Sequence, residues 1–302
     1  MKCLNVGCGS KFHPHWINID WVSCNPHVLA HDLSTGIPYP EQSFDVVYHS
    51  HILEHFTKQA GFFFLQECYR VLKVGGVIRI AVPDLEQIVR MYLLALEKAS
   101  QGEAEWEYHY DWMVLELYDQ AVRTGPGGDM RAYLDREFIP NEGFVCKRLG
   151  GEARRIIEAC RIKESQEEIK RPRKSNKRTF TAGSLLHFIR QYLVKILLGE
   201  KEYQALELGQ FRLGGEVHQW MYDRYSLSKL LAKVGFQNVK PLGPRESQIP
   251  DWTAFSLDTE PDGTIYKPDS FYMEGIRCAE GGNDFKTEMA NTTNVELSHS
   301  FS

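Results

Sequence analysis

The chain has 302 residues, of which 43% are hydrophobic and 25% are charged, and its formal net charge is −5. These proportions are typical of a soluble globular protein, and the acidic balance argues against a chain dedicated to wrapping nucleic acid. No stretch approaches the roughly 18 apolar residues of a membrane-spanning helix, and the N-terminus shows no signal-peptide pattern. The seven scattered cysteines lack CxxC spacing and favour reduced thiols. We therefore expect a cytoplasmic protein.

Short apolar runs before residue 90 predict a sheet. Buried parallel strands are apolar throughout rather than alternating, and five runs have this character: Cys3–Val6, Ile17–Ile19, Val28–Ala30, Phe44–Tyr48 and Val77–Val82. Between the last two runs, Gln59–Leu72 has apolar residues at helical spacing, and Gly75-Gly76 is the predicted helix stop. Strands separated by turns and helices in this way indicate an open α/β sheet.

A long, mostly helical region follows the fifth run. Asp84 is placed to cap a helix over Leu85–Ala99, and helical patterns continue to about residue 215. The segment Arg161–Arg178 carries eight Lys and Arg against three Glu and is predicted to be a loop. Ser184–Leu198 carries an apolar helical stripe. We expect this stripe to pack on the sheet or on a second subunit rather than to contact a membrane interface.

Sheet patterns return near the C-terminus. Tyr225–Val234 is a predicted helix ended by Gly235, and the runs Phe236–Val239 and Thr253–Leu257 are predicted strands. The expected fold is therefore a Rossmann-like α/β sheet, mostly parallel with helices on both faces, with a large helical insertion. We assign residues 1–90 and 216–280 to the sheet domain, 91–215 to an insertion that acts as a lid or substrate-binding region, and 281–302 to a disordered tail.

Three signals for a nucleotide-like ligand follow the first three strands. Gly7 and Gly9 form a GxG turn, which brings bare backbone N–H groups against a ligand. Asp20 ends the second strand, where a carboxylate can accept hydrogen bonds from both hydroxyls of a ribose. Asp32 and Leu33 end the third, where an acid can accept from an adenine amino group while the leucine covers the ring. Their order along successive strands argues against coincidence.

These segments resemble the type 11 branch of the class I S-adenosylmethionine-dependent methyltransferases. The matching stretches are NVGCGS, INID, HDL, FDVVYHSHILEH, RVLKVGGVIRIAVPD and HQWMYDRYSLSKLLAKVGFQNVK. The resemblance implies S-adenosylmethionine as the cofactor, with Gly7 and Gly9 at its methionine end, Asp20 at its ribose, Asp32 and Leu33 at its adenine, and His49-Ser50 at its sulfonium. The residues expected to bind it are Val6, Gly7, Cys8, Gly9, Asp20, Trp21, Asp32, Leu33, His49 and Ser50.

The chain departs from the family in the turn after Gly9. Only seven residues separate Gly9 from Ile17, too few for the full helix that usually follows the glycine motif, and Pro14 breaks regularity. We expect the contacts made by that helix to be missing. Phe12 stands where the third glycine of a dinucleotide motif would be, which argues against NAD.

His51 and His55 fit the pattern H-x-x-E-H of certain zinc peptidases. Two histidines four apart on a helix can share a metal, with Glu54 as a base. The sequence names no third ligand, however, and the pattern follows a strand of a nucleotide-type sheet, so we expect no metal. For His55 two roles stay open: a structural role at a helix start, and orientation of the methyl acceptor.

His218 lies where the insertion rejoins the sheet. It is either a capping or packing residue or a general base at an acceptor hydroxyl, because a histidine with a pKa near neutrality suits that task. With His218, His55 and His51 as candidate catalytic residues, we expect metal-independent O-methylation of a small molecule or glycan, no nucleic-acid partner, and compatibility with a homodimer. Methylation of nucleic acid or protein and a non-catalytic cofactor- or partner-binding module stay open as alternatives.

Overall fold

The computed structural model of the protein describes residues 1–23, 25–169, 190 and 193–279. In this part of the chain, seven strands form one sheet: β1 (Cys3–Val6), β2 (Ile17–Asp20), β3 (Val28–Ala30), β4 (Phe44–Ser50), β5 (Leu72–Pro83), β6 (Phe236–Leu242) and β7 (Ser270–Arg277). Their order is β3-β2-β1-β4-β5-β7-β6. The pairings from β3 to β5 are parallel, and β7 is antiparallel to both of its neighbours. The predicted α/β fold is confirmed.

Eight helices of the described residues have defined bounds: α1 (Lys58–Val71), α2 (Leu85–Ser100), α3 (Ala104–Val122), α4 (Gly128–Leu134), α5 (Glu142–Leu149), α6 (Gly151–Ile169), α7 (Glu200–Leu213) and α8 (Arg224–Val234). The predicted N-cap of α2 is confirmed, because the side chain of Asp84 accepts from the backbone N–H of Gln87. The predicted end of α8 is also confirmed, since Gly235 is left-handed with a φ of 116°.

The protein has three hydrophobic clusters. One lies between the sheet and helices α1 and α8, with Leu4, Phe64 and Leu231 among its buried members. A second lies among residues of α2 to α6 and contains Trp112 and Tyr133. A third covers the other face of the sheet and contains the large side chains of Trp16, Tyr48 and Trp252. The helical region thus packs around a core of its own.

The helical region leaves and rejoins the sheet at one place. Asp84 and Tyr222 form a parallel β-bridge just beyond β5, and the N–H of Leu85 donates to the carbonyl of Tyr222 at 3.2 Å. Arg224 Nη2 lies 2.7 Å from Asp84 Oδ2 and closes the junction with an ion pair. The boundaries at 91 and 215 stay a prediction, and α2 crosses the first of them.

Two predicted elements were wrong. Gly75-Gly76 does not end a helix, because α1 ends at Val71 and both glycines lie inside β5. Thr253–Leu257 is not a strand: Trp252–Phe255 forms a 3-10 helix whose two aromatic rings pack on Trp16 beneath the sheet. The last strand is β7, which contains a fully buried Glu274 and did not look apolar.

Several predictions fall wholly or partly outside the described residues. In the basic segment, residues 161–169 are helical rather than loop, and 170–178 lie outside. In the apolar stripe, 184–189 and 191–192 lie outside, and Leu193, Ile196 and Leu197 are exposed, so the expected burial is not observed for them. The tail 281–302 lies outside the described part. Among the described helices, none is both long and apolar enough to cross a bilayer.

Candidate functional site

The turn after β1 places two left-handed glycines at the carboxyl edge of the sheet. Gly7 has a φ of 66° and Gly9 a φ of 53°. A Cβ on Gly7 would lie 2.0 Å from Cδ1 of Ile52, whereas a Cβ on Gly9 would meet nothing within 4 Å. The N–H groups of Gly7 and Cys8 donate to the carbonyl of Ile19 at 2.7 and 3.1 Å. Packing therefore requires the first glycine, and the second leaves open space for a ligand.

A pocket of about 280 Å³, which we call the cofactor pocket, opens beyond the carboxyl ends of β1, β2 and β4. Asp20 lines it, and Oδ2 of this residue accepts the N–H of Gly9 at 2.6 Å. Of the ten residues expected to bind the cofactor, the pocket is lined by Gly7, Cys8, Gly9, Asp20 and Ser50. The N–H groups of Gly7, Cys8 and Gly9 are all bonded within the chain, so the expected bare N–H groups are not present. The open space over Gly9 beside a strand-end carboxylate fits the ribose of S-adenosylmethionine.

The side chain of His49 is fully buried and packs on Phe64 of α1, with ring centroids 5.1 Å apart. It lies on the face of the sheet that α1 covers and outside the lining of the cofactor pocket. A place for His49 near the sulfonium stays a prediction. Val6 is also fully buried in the core.

Three more of the predicted cofactor-binding residues, Trp21, Asp32 and Leu33, lie outside the lining of the cofactor pocket. Trp21 is exposed and Leu33 belongs to the core. Asp32 caps a 3-10 helix, since its Oδ1 accepts the N–H of Ser34 at 2.9 Å. A role for Asp32 and Leu33 at the adenine, and for Trp21 at the cofactor, stays a prediction.

Much of the lining of the cofactor pocket was not predicted from the sequence. The missed residues are Asn5, Ser10, Lys11, Tyr48, Ile52, Leu257, Tyr266 and Lys267. Ser10 and Lys11 directly follow the glycine turn, a signal that sequence could have used. Lys11 Nζ pairs with Glu260 at 3.0 Å and lies 4.4 Å from the ring centroid of Tyr266. Residues 8–16, all described, contain no helix, so the predicted loss of that helix is confirmed.

A second pocket, of about 390 Å³, lies between the helical region and the sheet, and we call it the acceptor pocket. His51 and Lys267 line both pockets, so the two spaces meet at these residues. The further lining residues are His55, Gln120, Arg123, Gly127, Met130, Arg131, Leu134, Leu149, Glu152, Ile156, Glu216, His218 and Asp269. The three candidate catalytic histidines are therefore brought together in one pocket.

Glu54 lies behind these histidines and is fully buried. His51 has a left-handed backbone, with a φ of 55°, and its Nδ1 lies 3.2 Å from Glu54 Oε1. The rings of His55 and His218 meet edge to face with centroids 4.8 Å apart. The carbonyl of Glu54 accepts the N–H of Gln219 at 2.7 Å. This backbone bond fixes the segment after the helical region against the turn after β4.

The buried environment sets the charges of this cluster. Burial lowers the pKa of His218 to about 3 and also lowers the pKa of His55. Burial alone would raise the pKa of Glu54, but the nearby imidazoles of His51, His218 and His55 outweigh it and hold that pKa below its ordinary value. At neutral pH the cluster therefore holds one carboxylate beside neutral imidazoles of His55 and His218.

The sheet and its edge pocket define a Rossmann-like domain with a site for a nucleotide-type ligand. Residues 21–80 match the family model described as Methyltransferase domain, of type 11. Over 56 residues the chain is 38% identical to the "Probable S-adenosylmethionine-dependent methyltransferase" of Mycolicibacterium smegmatis. That alignment covers 18% of this chain and 21% of the other, so the chain spans about a fifth of this curated relative.

Two solved structures align with most of the chain. One is the methyltransferase complexed with the Trm112 activator of Haloferax volcanii, at 9% identity and a TM-score of 0.37, covering 93% of this chain and 84% of the other. The other is a SAM-dependent methyltransferase from Archaeoglobus fulgidus, at 12% identity and a TM-score of 0.33, covering 91% and 85%. Residues 21–80 are therefore similar to a methyltransferase domain, and the relative that aligns over 56 residues is described as dependent on S-adenosylmethionine.

Proposed function

We propose that the protein transfers a methyl group from S-adenosylmethionine to a hydroxyl oxygen of a small molecule or glycan in the acceptor pocket. The observation that carries this proposal is the meeting of the two pockets at His51 and Lys267. The bound cofactor supplies an electrophilic methyl group. The chain has to align the acceptor oxygen with that group and exclude water, and both effects lower the barrier.

The size and lining of the acceptor pocket support a small acceptor. Its volume of about 390 Å³ lies within the usual range for small-molecule sites. Met130, Leu134 and Ile156 form an apolar part of the lining, whereas Arg123 and Glu216 bring charges. A hydroxylated molecule with both polar and apolar faces would fit this mixture. A cytoplasmic location is proposed on the sequence alone.

The acid–base role predicted for His218 is revised. A side chain whose pKa is about 3 holds a proton weakly at neutral pH, so His218 is a poor general base for an acceptor hydroxyl.

A methyl-transfer assay tests the proposed function. Labelled S-adenosylmethionine is offered with phenols, hydroxylated sugars, transfer RNA and protein, and label should reach a small hydroxylated acceptor. Ile156→Trp, which fills the acceptor pocket, should abolish turnover without changing cofactor affinity. Leu213→Trp, at a position that is 87% exposed, is the matched control. Transfer to RNA or protein alone would contradict the proposed acceptor class, and tight cofactor binding without any transfer would indicate a binding module.

A further inference from the structure

Glu54, His55 and His218 form a compact cluster beneath the acceptor pocket. One ligand atom from each residue lies within 4.8 Å of the others. Glu54 is fully buried and His218 is 6% exposed. In the described part of the chain, no hydrogen-bond partner is present for either carboxylate oxygen of Glu54 or for the Nδ1 atoms of His55 and His218. Buried polar atoms without partners are costly, so this cluster calls for a bound group.

The donor atoms of the cluster suit a cation. A carboxylate and two imidazoles are groups that bind divalent metal ions, and here one ligand atom from each lies within 4.8 Å of the others. His51 Nδ1 approaches Glu54 Oε1 at 3.2 Å. Even if these two atoms form an ion pair, Oε2 of Glu54 and the Nδ1 atoms of His55 and His218 have no partner among the described residues.

We propose that Glu54, His55 and His218 together bind one divalent cation, and that zinc is the best match. Two histidine nitrogens and one carboxylate oxygen occur in catalytic zinc sites that keep a fourth position open. Ligand atoms at about 2.1 Å from a tetrahedral ion lie about 3.4 Å apart, so small side-chain rotations would close this cluster onto an ion. Because His55 and His218 line the acceptor pocket, the open position would face the acceptor.

This proposal revises the expectation of no metal, whose premise was the missing third ligand. His218 supplies that ligand from a distant part of the sequence. Glu54 is a ligand in this arrangement rather than a base, and His51 is not one of the three. His51 Nε2 lies 2.7 Å from Ser270 Oγ, and its Nδ1 faces Glu54. It is therefore placed to orient the carboxylate, as outer residues of metal sites commonly do.

The catalytic consequence rests on the proposed function, whereas metal binding does not. A cation held by Glu54, His55 and His218 would lower the pKa of an acceptor hydroxyl, and the proton could then pass to water without a histidine base. The acceptor oxygen then forms a bond to the methyl carbon while the bond between that carbon and sulfur breaks. The products are a methyl ether, S-adenosylhomocysteine and one proton.

Direct zinc binding tests the site. Chelator-treated full-length protein is titrated with zinc by calorimetry, and one zinc per chain is expected. Glu54→Gln and His218→Asn should each weaken zinc binding by at least about 100-fold, more than the loss of an outer residue. His27→Asn, at an exposed histidine outside both pockets, should bind like the wild type. The proposal would be overturned if the wild type shows no saturable zinc binding. It would also be overturned if Glu54→Gln and His218→Asn both bind zinc as tightly as the wild type.

Folding controls keep this test decisive. Zinc should raise the thermal unfolding midpoint of the wild type and of His27→Asn, because a ligand of the native state stabilises it, and it should not raise that of His218→Asn. If a variant does not fold, cobalt is added to the wild type. Intense visible absorption from a four-coordinate site supports the proposal, and its absence contradicts it.

Turnover separates this proposal from the proposed function. Methyl transfer that continues undiminished after zinc is removed would overturn the catalytic role of the cation. Stoichiometric zinc binding without transfer to any acceptor would contradict the proposed function and support the metal site. S-adenosylmethionine affinity should be unchanged within about threefold in His218→Asn, because His218 does not line the cofactor pocket.

Discussion

The backbone N–H of Gly9 donates a 2.6 Å hydrogen bond to Oδ2 of Asp20. This bond joins the glycine turn after β1 to the end of β2. No helix lies between these two strands. The carboxylate therefore shapes the cofactor pocket as well as lining it. Loss of Asp20 should affect both the turn and the ligand.

Asp20→Ala is expected to weaken the binding of S-adenosylmethionine and S-adenosylhomocysteine by at least tenfold. The change removes charge-assisted hydrogen bonds worth roughly 1.5–3 kcal/mol. Calorimetry measures both ligands, and NAD should not bind even to the wild type. Asp20→Asn keeps one acceptor oxygen, so its affinity for the cofactor should fall between those of the wild type and Asp20→Ala. An unchanged affinity in Asp20→Ala would contradict the assignment of this pocket to the cofactor.

Gly7→Ala and Gly9→Ala should have different effects. Both force alanine into the left-handed region, at a cost of about 1–3 kcal/mol each. Gly7→Ala also drives its Cβ into Ile52, and overpacking of this kind costs a further ~1–3 kcal/mol. Urea unfolding should therefore show the larger loss for Gly7→Ala. Gly9→Ala places a methyl group in open pocket space, and calorimetry should show weaker cofactor binding by a folded protein.

Arg79→Met is expected to lower the free energy of unfolding by about 3–5 kcal/mol. The guanidinium of Arg79 is fully buried and lies 2.7 Å from both Asp258 and Glu274, so its removal leaves two buried carboxylates without a counter-charge. Arg90→Met is the matched control. Arg90 is 77% exposed in its pair with Glu86, and its loss should cost under about 1 kcal/mol. Equal losses in the two variants by chemical denaturation would refute this account.

His49→Leu is expected to make stability less dependent on pH. Burial lowers the pKa of His49 to about 4, against a partial opposing effect of Glu54. Between pH ~6.5 and ~4 the unfolded chain therefore binds more protons than the folded one, and the free energy of unfolding falls as pH falls. This histidine contributes a slope of up to roughly 1 kcal/mol per pH unit.

Urea unfolding at pH 7 and pH 4.5 measures the effect of His49→Leu. The variant should lose less stability than the wild type on acidification. His218 and Glu54 are present in both proteins and contribute the same remaining slope. Parallel losses in the wild type and the variant would show that His49 is not the group that titrates.

The first five strands could be predicted because they are parallel and, apart from the exposed residues of β3, largely buried, and such strands are apolar along most of their length. β7 could not, because Glu274 and Arg277 interrupt its apolar pattern. Glu274 is fully buried with an ion pair to Arg79, on the neighbouring strand β5, and with hydrogen bonds from Ser247 and Gln248. Such a partner is not visible in a local pattern.

The same limit applies to the site. Gly7, Gly9 and Asp20 could be found because each directly follows a recognisable strand. Lys267 could not, since its place at both pockets depends on where β7 enters the sheet. The cluster around Glu54 was half visible as H-x-x-E-H. Its third member, His218, is distant in sequence and is brought close by tertiary folding alone.

The bridge between Asp84 and Tyr222 holds the two ends of the helical region side by side at the edge of the sheet. A replacement of different length or shape could be spliced between these two residues without disturbing the strand pairings or the glycine turn. The lining of the acceptor pocket could then change while the cofactor pocket stays the same. His218, however, lies just before Tyr222. An exchange would therefore preserve the cluster of Glu54, His55 and His218 only if the last few residues of the helical region were kept.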